Sequence, residues 1–552
     1  MTQTYLGIKG TDYGKLDDIS PEKEEKDLAK AKLQLQYLKD SVNVKALDKA
    51  TTLSYHILKD DLENEIKDFE YRFHNYPVNQ MFGLHSRIPA FLINTHSIEN
   101  KKDAEDYILR LKAIQPMFKQ LVENLKLREQ KGIIPPKFVF PKVIDDSKNI
   151  LKGVPFESVD QKSTLLTDFD EKISKLEIPE IEKKELIESS KSALFRSVKP
   201  AYENLIAFLT DQEKRATSDH GVWKFPQGES FFNNALERIT TTDLTSKQIH
   251  ELGLSEVARI HAEMEEIKNK VEFKGSLQDF FKFMKEDSQF YYPNTAEGKK
   301  EYLAGAVALI DTMRTKLDEL FITKPKAEIV VKAVEPFREK SAGKAFYQRG
   351  TPDGKRPGKY YANLYDMKNM PKYQMEALAY HEGIPGHHMQ ISIAQELEDI
   401  PKFRKFGGYT AYVEGWGLYN EYVPKEIGLY QDPYSDFGRL AMELWRACRL
   451  VVDTGIHQMK WTREEGIKYY VENTPNAETD AISMVERHIV MPGQATAYKI
   501  GMLKILELRE NAKKQLGEKF DIREFHDVVL TNGAVPLTVL EQLVADWVSN
   551  KS

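Results

Sequence analysis

The chain has 552 residues, of which 41% are hydrophobic and 30% charged, with a formal net charge of −6 and a pI near 6.2. Such a balance offers no basic field for phosphates and argues against a nucleic-acid partner. The single cysteine, Cys448, excludes an intramolecular disulfide and a cysteine-based structural zinc site. No apolar run approaches the roughly 18 residues of a membrane span, and the first residues lack the pattern of a signal peptide.

The first 320 residues are predicted to form an N-terminal helical lobe. Apolar and charged residues recur at helical spacing from about residue 20 to 130 and again over 142–152, 158–174 and 179–214. A proline-rich run at 133–141 and a loop at 218–228 interrupt this pattern, and another helix is predicted from Phe231. Thr245, followed three residues later by Gln248, predicts a capping box that starts a helix reaching about Val271.

Residues 321–552 are predicted to be the catalytic portion, continuous in fold with the first lobe. Three segments rich in β-branched and aromatic residues, 328–334, 344–347 and 359–365, predict a small antiparallel sheet. Helices are then predicted over 372–397, 409–427, 436–460, 463–472, 480–489, 495–516, 522–530 and 537–549.

The strongest chemical signal is the run His381-Glu382-Gly383-Ile384-Pro385-Gly386-His387-His388, in a chain with only 13 histidines. It is similar to HExxH, in which two histidines one helical turn apart hold zinc and the glutamate acts as general base. The spacing is longer here. Position i+4 is Pro385, and on a regular helix His388 would lie roughly 10 Å along the axis from His381.

The residues between the histidines suggest how the longer spacing is accommodated. Pro385 removes a helical N–H, while Gly383 and Gly386 tolerate unusual backbone angles. A wide turn or a π-like bulge would therefore bring a second histidine next to His381. The alternative is a plain Pro-Gly helix break with surface histidines that bind nothing.

Glu414, 27 residues after His387, is the candidate third ligand. Gly415 and Gly417 beside it are costly in a helix, by about 1 kcal/mol each, so they indicate close packing or approach to a metal. The alternative is a glutamate on a solvated helix face.

These segments together resemble the family known as domain of unknown function 885 (DUF885), whose members are regarded as zinc metallopeptidase-like. The resemblance covers nearly the whole chain, and the segments that carry it most specifically are Arg356–Asn363, His381–Gln390, Glu414–Tyr419 and Pro492–Gly501. It implies a mostly helical, two-lobed fold of the gluzincin peptidase kind, with a deep channel and a small sheet. By the family pattern, His381, His387 and Glu414 bind one Zn²⁺, Glu382 is the general base, and His388 is the weaker ligand candidate.

A looser resemblance concerns His488 and Tyr498. Helical gluzincins such as angiotensin-converting enzyme carry a histidine and, ten residues later, a tyrosine that stabilise the oxyanion, and the two residues here have that spacing. Tyr498 is the firmer candidate, because the DUF885 family more often carries an aromatic residue at the position of His488. The alternatives are a core tyrosine and an ordinary helix histidine.

Substrate contacts are predicted at six further residues. The strand over 359–365 would offer its edge to an extended peptide, with Asn363 holding a backbone group. His457 would pair with Asp453 one turn before it. Structural roles are the alternative for all six residues, which are Tyr361, Asn363, Arg446, His457, Gln494 and Lys499.

The resulting hypothesis is a zinc-dependent hydrolase of peptide bonds, acting on short peptides by analogy with the fold class. A zinc amidase or esterase and a non-catalytic helical binding protein are the alternatives. Family members often carry export or lipoprotein signals, so the resemblance implies an exported or lipid-anchored protein of the bacterial envelope with its signal removed. A cytoplasmic location is the alternative, and the oligomeric state is left open.

Overall fold

The structure, a computed structural model, describes residues 1–5, 7–334, 339, 342–351, 356–398 and 400–552. Contacts divide the chain into two compact units. Unit 1 comprises Met1–Ser41, Leu62–His220 and Lys224–Gly228, and unit 2 comprises Val42–Asp61, Gly221–Trp223 and Glu229–Ser552. The units do not follow the predicted boundary at residue 320, because the helices between residues 229 and 320 belong to unit 2.

The fold is mostly helical, as predicted. The helices up to residue 240 are α1 (Thr2–Tyr5), α2 (Pro21–Ser41), α3 (Lys49–Asp68), α4 (Leu84–Asn94), α5 (Lys101–Gln130), α6 (Val139–Ile150), α7 (Thr164–Ser174), α8 (Glu180–Ala193), α9 (Lys199–Glu213) and α10 (Gly228–Thr240). A π-helical turn, Leu194–Val198, joins α8 to α9. The long helix α5 packs against α8 and α9 at the core of unit 1.

The helices that follow form most of unit 2. They are α11 (Ser246–Lys270), α12 (Leu277–Glu286), α13 (Ala296–Leu320), α14 (Lys372–Glu382), α15 (His387–Glu396), α16 (Lys402–Phe406), α17 (Thr410–Tyr422), α18 (Pro433–His457), α19 (Arg463–Asn473), α20 (Glu478–Val490), α21 (Ala497–Leu516), α22 (Ile522–Leu530) and α23 (Leu537–Lys551). Short 3₁₀ turns occur at Val44–Ala46, Phe69–Tyr71, Val222–Lys224, Ser288–Phe290, Met367–Asn369, Val423–Ile427, Gln494–Thr496 and Gly517–Lys519. The capping box predicted at Thr245 and Gln248 is present and starts α11.

Helix α18 is the centre of unit 2. Most of its side chains are buried, and it packs against α11, α14, α19, α20 and α21. A helix that is buried on nearly every side fixes the position of its polar residues, because a rotation would move them into apolar surroundings. The charged residues that α18 carries are therefore held rigidly inside the unit.

The predicted sheet exists, but it is mixed rather than antiparallel. Its strands are β1 (Ile329–Ala333), β2 (Ala345–Gln348) and β3 (Gly358–Ala362), in the order β1-β3-β2. Strand β3 pairs parallel with β1 and antiparallel with β2. Because β3 is the central strand, its two edges are already hydrogen-bonded, and the prediction that it adds a peptide by β-augmentation is wrong.

Among the residues described here, no helix is both long enough and apolar enough to cross a membrane.

Candidate metal centre

The longer spacing between the histidines is accommodated by a turn between two separate helices. Helix α14 ends at Glu382 and α15 begins at His387, so the single helix predicted over 372–397 and the π-like bulge are both wrong, while the wide turn is confirmed. The Gly386 N–H donates to the carbonyl of Tyr380 over 2.9 Å. A Cβ at Gly386 would collide with the carbonyl oxygens of Tyr380 and His381, so only glycine fits here.

The turn brings His381, His387 and Glu414 together. One ligand atom from each residue lies within 4.8 Å of the others, and we call this group the His/His/Glu triad. Glu414 Oε2 lies 3.7 Å from His381 Nε2 and 3.5 Å from His387 Nε2. The two imidazole rings are nearly perpendicular, with centroids 4.6 Å apart. Two nitrogens and one carboxylate oxygen converging on a point match the donor set of a catalytic zinc site.

Glycines on α17 allow the helix that carries Glu414 to approach the histidines. A Cβ at Gly417 would lie 2.7 Å from His381 Cε1, which is closer than real side chains approach. On the opposite side, a Cβ at Gly415 would lie 2.5 Å from the Gly501 backbone of α21. Trp416, between them, donates from Nε1 to the carbonyl of Pro385 over 3.0 Å and so holds the turn. Both glycines therefore allow close packing, which is one of the two roles that the sequence indicated; the approach of a metal stays a prediction.

The charges at the triad favour a cation. Burial raises the pKa of Glu414, but the neighbouring imidazoles of His381 and His387 outweigh it and hold this pKa well below the ordinary value. Burial lowers the pKa of His381, yet Glu414 and Glu421 raise it to about 9. The nearby carboxylates thus favour positive charge at His381, and binding of a metal ion would compete with a proton there.

Glu421 stands behind His381, on the side away from Glu414. Its Oε1 lies 2.8 Å from His381 Nδ1, close enough for a hydrogen bond although the two groups are not aligned for a good one. Metal-bound histidines commonly present their second nitrogen to a carboxylate in this way, which fixes the ring and raises its basicity. Sequence reasoning missed Glu421, but a signal was available, since it follows Glu414 by two helical turns on the same face of α17.

Glu382, the predicted general base, is buried beside the triad. Its Oε2 has no hydrogen-bond partner within the described chain. Burial raises the pKa of Glu382, and Glu414 raises it further, against the opposing effect of His381 and His387. A buried carboxylate with a free oxygen and a raised pKa is a stronger base than an ordinary glutamate, as proton transfer from water requires.

His388 does not belong to the triad. Its Nε2 lies 3.0 Å from the Ala327 carbonyl, and its Nδ1 lies 3.1 Å from the Tyr347 hydroxyl of β2. Both ring nitrogens are thus engaged with the sheet region, and burial lowers the pKa of His388 to about 4. These contacts do not support the prediction of His388 as a weaker ligand candidate. His388 instead connects α15 to the sheet region.

Tyr498 lies at the start of α21, close to two arginines. The guanidinium carbons of Arg446 and Arg449 are 5.9 Å and 4.4 Å from the centre of its ring. Arg446 Nη2 is in turn 3.4 Å from Glu421 Oε1, the oxygen that also faces His381. Tyr498 is thus linked to the triad through Arg446 and Glu421. Within the described residues its hydroxyl has no hydrogen bond.

His488 and His457 are engaged inside the helical core. The Nε2 of His488 lies 2.8 Å from the Tyr470 hydroxyl, and its Nδ1 lies 3.4 Å from Asp453 Oδ2. Burial, with Arg449 and Arg487, holds the pKa of His488 well below the ordinary value. His457 accepts from the Val222 N–H and donates to the His488 carbonyl, so the predicted Asp453–His457 pair is not formed.

The other predicted substrate residues make internal contacts. Lys499 is fully buried, with Nζ 2.5 Å from Glu443 Oε1 and 2.8 Å from Glu256 Oε2. Gln494 accepts from Arg487 Nη2 over 2.9 Å. Tyr361 is buried and stacks on Phe346 with ring centres 5.0 Å apart.

Asn363 holds the chain between β1 and β2 rather than an open edge. Its Nδ2 donates to the carbonyls of Glu339, Ala342 and Gly343, at 2.8, 3.0 and 3.2 Å. The backbone groups that Asn363 was expected to hold therefore belong to its own chain.

Comparison with known proteins places these features in a family. The family model described as "Bacterial protein of unknown function (DUF885)" matches residues 1–544. A "putative lipoprotein" from Colwellia psychrerythraea has a similar crystal structure, with 34% sequence identity and a TM-score of 0.92, over 100% of this chain and 96% of that chain. A "putative lipoprotein of unknown function" from Shewanella oneidensis shares the fold, with 18% identity and a TM-score of 0.75, over 99% and 96% of the two chains.

No functionally curated protein matches this sequence. The family match nevertheless spans almost the whole chain, and the Colwellia psychrerythraea relative supports it at full coverage. The chain therefore belongs to the DUF885 family of bacterial proteins.

Proposed function

We propose that this protein is a zinc-dependent hydrolase of peptide bonds. The observation that carries the proposal is the convergence of His381, His387 and Glu414 within 4.8 Å, next to the buried carboxylate of Glu382. Catalytic zinc sites use three protein ligands and leave a fourth position for water, and two histidines with one glutamate is one of their recurrent ligand sets.

The donor set and its surroundings fit zinc. The ligand atoms are nitrogen and carboxylate oxygen, a carboxylate faces the second nitrogen of His381, and His387 Nδ1 and Glu382 Oε2 are buried without hydrogen-bond partners in the described structure. A zinc ion held by the triad would supply the Lewis acidity that activates water and polarises a carbonyl group.

The chain's own residues would carry the proton transfers and hold the developing charge. Glu382 would take a proton from the attacking water and deliver it to the leaving amine, a role that its raised pKa suits. The Tyr498 hydroxyl would donate to the oxyanion. We assign no substrate contact to His488, because its ring nitrogens face Tyr470 and Asp453. Short peptides as substrates are proposed by analogy with helical gluzincin peptidases.

Zinc content tests the metal site. Protein purified without chelator should hold one zinc per chain, His387→Ala should lose it, and His388→Ala should keep it. If the wild type holds neither zinc nor another transition metal, the hydrolase proposal fails and a non-catalytic binding protein takes its place.

Turnover tests the chemistry. Glu382→Gln should keep its zinc and lose activity by roughly 10²- to 10⁴-fold, the usual contribution of a general base. The substrates are a set of short peptides, with matched simple amides and esters beside them. Cleavage of the amides or esters alone would replace the peptidase by a zinc amidase or esterase.

A further inference from the structure

Two arginines lie against the Tyr498 ring and a third lies near them, and we call Arg446, Arg449 and Arg487 the arginine cluster. Arg446 and Arg449 lie one turn apart on α18 and both approach the Tyr498 ring. Arg487, on α20, donates to Gln494, four residues before Tyr498 in the chain. Burial lowers the pKa of Arg449; Tyr498 opposes this effect, and the charges of Arg446 and Arg487 lower the pKa further.

The arginine cluster lacks enough negative charge in the described residues. No carboxylate oxygen of that part of the chain lies within 4 Å of Arg449 or Arg487, whereas Arg446 has Glu421 at 3.4 Å. Arg449 is only 6% exposed, and its Nε and Nη1 are buried without hydrogen-bond partners.

Two other buried arginines of unit 2 are paired with carboxylates, while Arg404 donates to the Ser54 hydroxyl and the Asn532 carbonyl. Arg439 contacts Asp436 and Glu443, and Arg509 contacts both carboxylate oxygens of Glu426. A buried guanidinium is costly unless it is paired and hydrogen-bonded. The buried charge of Arg449 would therefore be stabilised by a bound anion, since the described residues place no carboxylate against it.

The cluster adjoins the candidate metal centre. Glu421 Oε1 lies between the two sites, 2.8 Å from His381 Nδ1 and 3.4 Å from Arg446 Nη2. Tyr498, the proposed oxyanion donor, lies against Arg449 at 4.4 Å. An anionic group bound by the arginines would thus be held close to a carbonyl bound at the triad.

We propose that the arginine cluster binds a carboxylate of the substrate, so that the enzyme prefers peptides with a negative charge near the scissile bond. Guanidinium groups present a planar fork of donors that matches a carboxylate, and a desolvated site strengthens such bonds. This inference rests on the proposed hydrolase function. The carboxylate would be either the C-terminus of the peptide or an acidic side chain.

The test measures binding without turnover. Calorimetric titration of zinc-loaded Glu382→Gln uses three probes, which are Ala-Ala-Phe, its C-terminal amide and Ala-Asp-Phe amide. We expect one of the charged probes to bind at least about tenfold more tightly than the neutral amide, as for one charge-assisted hydrogen bond. Adding Arg449→Gln should remove this preference while zinc content is unchanged. Adding Arg523→Gln, which removes an exposed arginine of α22, should preserve it.

Each outcome has a defined meaning. Preference for the free acid identifies a C-terminal carboxylate, and preference for the Asp peptide identifies a side chain. Equal binding of all three probes, or a preference that survives Arg449→Gln, overturns the proposal. If Arg449→Gln does not fold, Arg487→Gln replaces it in the same comparison.

Turnover of the same peptides by the wild type separates the two proposals. Cleavage without any charge preference leaves the hydrolase and removes the carboxylate site. Arg449-dependent binding without cleavage of any probe leaves the site and removes the hydrolase.

Discussion

At the scale of single residues, adjacent histidines have different tasks. His387 has its Nε2 beside Glu414, whereas His388 points both nitrogens at the sheet region. The difference follows from the helix start at His387, because successive residues of a helix point about 100° apart. Only one of two neighbours can then face the triad.

His388→Ala should destabilise the protein without removing its metal. The substitution deletes hydrogen bonds to Ala327 and Tyr347, and we expect a loss of about 2 kcal/mol in the free energy of unfolding. Urea unfolding and zinc analysis on the same sample measure both effects. Tyr347→Phe, which removes one of these bonds, should cost less. Loss of zinc in His388→Ala would contradict the assignment.

Glu421→Gln should weaken zinc binding while leaving all three ligands in place. The carboxylate faces His381 Nδ1, and loss of such an outer partner typically costs 10- to 100-fold in metal affinity. Competition with a chelator of known affinity gives the dissociation constant. Glu507→Gln, an exposed glutamate paired with Lys504, is the matched control and should bind zinc like the wild type. Equal affinity in Glu421→Gln would show that this carboxylate does not support the metal.

At the scale of elements, two glycines of α17 allow close contacts on different sides of the helix. Gly417 makes room for the ring of His381, and Gly415 makes room for the backbone of α21. Gly417→Ala should displace His381 and lower zinc affinity by about tenfold, as for other changes behind a ligand. Gly415→Ala should lower the free energy of unfolding by about 1–3 kcal/mol through overpacking. Chelator competition measures the zinc affinity of both variants, and urea unfolding measures their free energy of unfolding. Lower zinc affinity in Gly415→Ala with unchanged affinity in Gly417→Ala would contradict the prediction.

Local sequence signals predicted the positions of helices and strands better than the pairing of the strands in the sheet. The helices predicted at 463–472 and 522–530 match α19 and α22, because caps and periodicity lie within the segment itself. The parallel pairing of β1 with β3 was not predictable in the same way, since β2 intervenes in the chain and the order is set by long-range packing.

The candidate site shows the same division. The three residues of the triad were identified from the motif and the family pattern. Lys499 and His457, by contrast, were predicted to contact substrate and are buried in internal contacts. Arg449 was overlooked because no sequence pattern reveals that a buried arginine lacks a partner.

At the scale of the molecule, a buried ion cluster joins the helices that surround the site. Lys499 of α21 bonds to Glu443 of α18 and Glu256 of α11, and Arg259 of α11 also reaches Glu443. Breaking such a cluster by removing one partner costs about 3–5 kcal/mol, because it leaves a buried charge uncompensated. Lys499 therefore joins α21 to α11 and α18, and its ammonium group is occupied by these internal contacts.

The ion pairs of Glu443 predict how the free energy of unfolding changes at acidic pH. Burial raises the pKa of Glu443, but Lys499, Arg259 and Arg439 outweigh it and lower the pKa from 4.5 to about 2. A carboxyl group whose pKa is depressed on folding stabilises the protein above its unfolded pKa. That stabilisation is lost as the pH falls from about 4.5 towards about 2. In chelator-treated protein at neutral pH, the free energy of unfolding of the wild type should exceed that of Glu443→Gln by about 3 kcal/mol.

This difference should shrink as the pH is lowered below about 4.5, because protonated glutamic acid and glutamine are then similarly uncharged. Urea unfolding of the two proteins at neutral and acidic pH measures it. Glu507→Gln, on the surface, should differ little from the wild type at either pH, since exposed pairs contribute about 0–1 kcal/mol. A difference for Glu443→Gln that stays constant into acid would mean that its carboxylate gains nothing from the three cations. The link between α11, α18 and α21 would then be one of packing alone.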